Sequence, residues 1–273
     1  MSAAWPLLRR ELRDSLRSYW FLVYSGVFVL GGALLMLLGG AGGSVLGYRG
    51  FARALAGLMH LALFVVPLMA LFPGAAAVAG EREIGTLDYL LAQPVTRREV
   101  YLGKWLGIVA AVVLSLTVGF GATGGVAVMR GVRSELVLGL FAFTILLAAA
   151  FASLGVWLSA SSTTRSRALS LGLTAWLGFL ALGSLGVMGA FVRWGLPAWT
   201  LQAWSLVNPI EACRMAVLPL LDPDAGQLLG PVGAALLERF GRWGVTGLGA
   251  GSLLAWSVLA LAAGARSFRL REA

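Results

Sequence analysis

A chain of 273 residues that is 59% hydrophobic and 12% charged, with a mean hydropathy of +0.87, is too apolar for a soluble globule, whose charged share is about 25%. The net charge of +9 is spread over several short loops and forms no aromatic-interleaved patch, which excludes nucleic acid as a partner and points to orientation in a membrane. One cysteine, Cys213, excludes an intramolecular disulfide and a cysteine-pair metal site, and reads as a small packing residue outside the membrane spans.

The chain opens on an amphipathic stretch. Trp5, Leu8, Leu12, Leu16 and Tyr19 recur at steps of three and four, while Arg9, Arg13 and Arg17 occupy another face; residues 1–19 are therefore expected to form an interfacial helix in the headgroup region. No clear small-residue cleavage site follows the first apolar run, so a cleaved signal peptide is not expected. Six uncharged spans come next: 20–38, 54–79, 105–129, 136–160, 168–192 and 244–265. Each exceeds the roughly 18 residues that call for a membrane helix. The pattern predicts an all-α membrane protein, one domain over 1–273, with six transmembrane helices. Placing both termini in the cytoplasm of a cell with an inner membrane puts 13 of the 21 basic residues inside, among them Arg82, Arg97, Arg98, Lys104, Arg165, Arg167 and Arg266.

Between the second and third spans lies the one charge-dense internal segment, 80–104. It holds Glu81, Glu83, Asp88 and Glu99 against Arg82, Arg97, Arg98 and Lys104, so it belongs in water. Thr86 is expected to cap a short helix whose Leu87, Leu90 and Leu91 share a face. Gln93-Pro94 interrupts it, and Thr96-Arg97-Arg98-Glu99 has the form of a capping box that opens the next helix. Pro67 and Pro73, inside the second span, are expected to kink it or break its last turns. His60, the sole histidine, has no partner in any span that would make it a ligand or proton relay.

The segment 193–243 between the last two spans is expected to carry short outer helices. Asn208-Pro209-Ile210-Glu211 reads as an N-cap, a proline at the first helical position and an acid at the third; Asp222-Pro223-Asp224 ends that helix, and 231–239 can form another. Gly119, Gly121 and Gly124 fit G-x-G-x-x-G but lie in the middle of an apolar span, so helix packing is the better account, as it is for Gly121/Gly125 and Gly247/Gly251. No phosphate-binding G-x-x-x-x-G-K-[ST] loop occurs, so any ATP must be handled by a partner.

The run Gly80-Glu81-Arg82-Glu83-Ile84-Gly85-Thr86-Leu87, followed by Leu90-Leu91, Pro94-Val95, Arg97-Arg98-Glu99 and Leu102-Gly103-Lys104, resembles the cytoplasmic coupling segment of ABC-2 type transporter permeases. The amphipathic stretch at 1–19 resembles the elbow helix of that family, and 193–243 its short helices between the last two spans. The resemblance implies that 80–104 docks into a cleft on a separate ABC ATPase subunit. ATP and Mg would then be bound by that partner, with no cofactor, catalytic residue or metal in this chain. Glu81, Arg82, Glu83, Gly85, Thr86 and Leu87 would lead the docking surface, Leu90 and Leu91 would be its apolar anchor, and Arg97, Arg98 and Glu99 its rim. A second, identical permease chain in the bilayer would complete the transport path, lined by side chains such as Gly119, Phe120, Thr123 and Trp176. More narrowly, Asn208-Pro-x-Glu-x-x-Arg214 and Leu229-Gly230-Pro231 resemble the NosY-type permeases, which serve copper-site maturation in nitrous oxide reductase. Two other readings stay open: an ATP-independent secondary transporter or channel, and a membrane scaffold without transport.

Overall fold

The computed structural model describes residues 19–40, 47–92, 96–129, 131–183, 193, 198–221 and 230–271. Every element among them is an α-helix: α1 (Tyr19–Gly40), α2 (Gly47–Ala77), α3 (Ala79–Glu83), α4 (Thr86–Leu91), α5 (Arg97–Met129), α6 (Ser134–Ser161), α7 (Arg165–Ala181), α8 (Ala198–Val207), α9 (Pro209–Leu221) and α10 (Gly230–Arg271). Four stretches are long and apolar enough to cross a bilayer: Leu55–Glu83, Arg97–Met129, Ser134–Ser161 and Val232–Leu270. Helix α1 coincides with the first predicted span, and α7 covers the described part of the fifth, whose residues 184–192 lie outside the described set. The predicted interfacial helix also lies outside it, Tyr19 excepted.

Sequence chemistry sets the helix boundaries. Helix α5 starts after Thr96, which accepts from the Glu99 N–H (3.2 Å), while the Glu99 carboxylate accepts from the Thr96 N–H (2.8 Å) and hydroxyl (2.7 Å). This is the predicted capping box, closed in both directions. Helix α9 starts after Asn208, whose Oδ1 accepts from the Ile210 N–H at 3.0 Å. Helix α10 is broken at Gly241 (φ 67°, ψ 174°), a backbone conformation that favours glycine, and the piece before it takes in the predicted second short helix. The prolines leave no break in the helix at their own positions. Helix α2 runs through both Pro67 and Pro73 and is interrupted only at Val78.

Helix α6 is the hub, packed against α2 on one side and α10 on the other, with α9 filling the space between α6 and α10. Close approach is made by glycine at the crossings. A Cβ on Gly155 of α6 would lie 2.6 Å from the Leu71 carbonyl oxygen, and one on Gly249 of α10 would lie 2.5 Å from the Ala212 carbonyl oxygen. In lipid such backbone contact supplies the van der Waals packing that the hydrophobic effect cannot. Gly119 and Gly124 make room for the side chains of Phe28 and Val137, whereas Gly121, Gly125, Gly247 and Gly251 meet nothing among the described residues. The residues expected along the path, Gly119, Phe120, Thr123 and Trp176, do not face the open surface. All four are buried, Phe120 against Phe28 and Phe141, Trp176 against Phe64, and Thr123 bonded to the Gly119 carbonyl.

Candidate functional site

The polar segment is tied to the bundle by a chain of named bonds. Where α2 gives way to α3, the freed N–H groups of Val78 and Ala79 both donate to the buried Ser159 hydroxyl near the end of α6, at 2.9 and 2.8 Å. Along α3, successive charged side chains each find a partner beyond the helix, Glu81 and Arg82 half-buried and Glu83 exposed. Glu81 lies 2.8 Å from Lys104 Nζ of α5, and that lysine is only 1% exposed. An ammonium buried so deeply is tolerable only when paired. Arg82 donates to the Ser162 carbonyl at the end of α6. Glu83 accepts from the Arg165 N–H at the start of α7, at 2.8 Å.

Gly85 (φ 74°) then turns the chain and stands at the N-cap of α4. Thr86, expected as the cap, is instead the first helical residue, and its hydroxyl donates back to the Glu81 carbonyl at 3.3 Å. The larger correction concerns the leucines. Leu87 (1% exposed) and Leu90 (6%) are buried in the chain's own core, so the apolar anchor expected of Leu90 is already covered. The side chain of Leu91 and residues 93–95 lie outside the described set. Among the residues that the segment exposes to solvent are Ile84 (73% exposed) and Tyr89 (78%), together with Glu83, Gly85, Thr86, Asp88 and Arg98. Arg97 reaches the Arg269 carbonyl at 3.5 Å, near the end of α10.

A second polar cluster lies where outer helices were expected. Helix α9 is buried along nearly its whole length, Cys213 included, so it belongs to the bundle and not to its rim. The buried Asn208 caps α9 and donates from Nδ2 to the Phe179 carbonyl of α7 at 2.7 Å. Trp204 and Trp256 donate to the Leu182 and Val207 carbonyls at 2.6 and 2.7 Å, and Ser252 to that of Leu206. Broken helices survive in a bilayer only when side chains satisfy their ends in this way. Glu211 and Arg214 pair at 2.5 Å inside this region, so titratable residues beyond His60 do enter the bundle. The acid was legible as part of the helix start, but its pairing with Arg214 was not; the signal is an acid and a base at i, i+3 in an otherwise apolar helix. His60 itself points outward, its Nδ1 donating to the Ala56 carbonyl at 2.7 Å.

Long apolar helices packed into one bundle, with a charged segment clipped to their ends, define a multi-pass membrane protein. A family model for ABC-2 family transporter proteins matches residues 5–273, and the chain belongs to that family. It is 31% identical over 264 residues to a probable ABC transporter permease protein NosY of Pseudomonas aeruginosa, covering 93% of this chain and 96% of the relative. To a probable ABC transporter permease protein NosY of Stutzerimonas stutzeri it is 30% identical over 253 residues, covering 87% and 91%.

Proposed function

We propose that this chain is the membrane permease of an ATP-driven exporter, with ATP and Mg held by a separate ABC ATPase subunit that docks on residues 80–104. Two copies of the chain pair to form the path, each with six spans, both termini and the polar segment on the cytoplasmic side of the inner membrane. Family membership supports the ATPase partner in general terms. The observation that carries the docking site is the pair Ile84 and Tyr89: two large apolar side chains, each about three-quarters exposed, on a charged segment that is bonded to the helix ends beneath it. Water is a poor solvent for such a pair, and a partner's cleft would cover it. The docking face is thus led by Ile84, Gly85, Thr86, Asp88 and Tyr89, with Arg98 at the rim, while Leu87 and Leu90 hold it from below.

The similarity to permeases named NosY supports a narrower role in copper-enzyme maturation, with a cargo serving that assembly. Substituting Ile84→Asp together with Tyr89→Ala is expected to abolish co-purification of the ATPase subunit from membranes while leaving the amount of inserted permease unchanged. Undiminished co-purification would remove this surface as the docking site.

A further inference from the structure

Adjacent residues of α3 address opposite ends of consecutive helices. Arg82 binds the Ser162 carbonyl at the C-terminal end of α6, where the helix dipole is negative and carbonyls lack partners; Glu83 binds the Arg165 N–H at the N-terminal end of α7, where the dipole is positive. The charge order Arg-Glu therefore matches the order of the two helix ends. Reversing it would set like against like at both. Helix α7 does not need Glu83 in order to start, because Thr164 already caps it through the Arg167 N–H at 3.3 Å. The carboxylate, 82 residues away in the chain, adds a tie between elements and not a local cap. Ser159 adds a third tie by holding the Val78–Ala79 junction.

We infer that Arg82, Glu83 and Ser159 form a clamp that fastens α3 to the turn 162–165, so that a displacement of the polar segment is delivered to α6 and α7 as well as to the helices it joins covalently. This rests on the reading of 80–104 as the ATPase contact. It reassigns Arg82 and Glu83 from docking surface to positioning residues, and it distinguishes them from Ile84 and Tyr89, which face away.

The test uses the full permease with its ATPase subunit in lipid nanodiscs. Spin labels are placed on the exposed Ala92, at the end of α4 and outside the named docking face, and on the exposed Ser166 of α7, in a Cys213→Ser background, and their separation is read by double electron–electron resonance. The unaltered clamp should give one narrow distribution, the same without nucleotide and after trapping with ATP and vanadate. Glu83→Ala, and more strongly the exchange Arg82→Glu with Glu83→Arg, should keep the ATPase bound yet broaden the distribution and make it nucleotide-dependent; Glu83→Gln, which keeps an acceptor, should fall between. Loss of ATPase binding in Glu83→Ala at normal permease levels would overturn the clamp in favour of a docking role. A distribution that changes with nucleotide in the unaltered protein, or is unmoved in every variant, would overturn it as well. If the unaltered permease retains no ATPase, the docking reading itself fails and the clamp goes with it.

Discussion

Gly155 of α6 and Gly74 of α2 meet backbone to backbone: a Cβ built on Gly74 would sit 3.1 Å from Gly155 Cα and 3.0 Å from the Ala152 carbonyl oxygen. Neither neighbour is a flexible side chain that could move aside. Gly155→Ala would place its methyl 2.6 Å from the Leu71 oxygen, forcing the two helices apart at a cost of about 1–3 kcal/mol. Gly121→Ala and Gly125→Ala meet nothing among the described residues and serve as controls. Thermal unfolding in detergent should show a lowered midpoint for the first and none for the other two.

Glu81 and Lys104 give the second prediction. Removing the carboxylate leaves a fully buried ammonium without it, and breaking a buried pair from one side typically costs about 3–5 kcal/mol. Glu81→Ala should therefore express poorly or unfold early. Adding Lys104→Met, which removes the buried charge while filling its volume, should restore much of the loss. If the double variant is no better than the single one, the pair does not balance the buried charge.

Asn208 performs two tasks that can be separated. Asn208→Ser keeps a side-chain oxygen that can cap α9 but loses the amide that serves the Phe179 carbonyl; Asn208→Ala loses both. A lost N-cap and a lost buried hydrogen bond are each worth about 1 kcal/mol, so the midpoint of unfolding should fall in the order asparagine, serine, alanine. Equal midpoints for the serine and alanine variants would assign the whole effect to the bond with α7.

What could be read from the chain alone was whatever is local. The capping box at Thr96 and Glu99 and the cap at Asn208 close over two or three residues, so their geometry is fixed by neighbours in sequence. Length and apolar content likewise announced the four helices that, among the described residues, are long and apolar enough to cross a bilayer. The interruption that ends α2 falls beyond both prolines, where Ser159, 81 residues distant, takes up the freed N–H of Val78.

The fate of the leucines depended on more distant information. A ridge at i and i+3 states that Leu87 and Leu90 need cover, and the same spacing would serve a partner's cleft or the chain's own core; only the folded bundle supplies the covering surface. The glycines divide the same way, since nothing local distinguishes Gly155 at a crossing from Gly125 in open space. The charged residues of α3 follow suit: composition required that Glu81, Arg82 and Glu83 be satisfied, but partners at Lys104, Ser162 and Arg165 exist only once three helix ends are brought together. Periodicity and capping act through bonds a few residues long, whereas the choice of neighbour is a property of the packed whole.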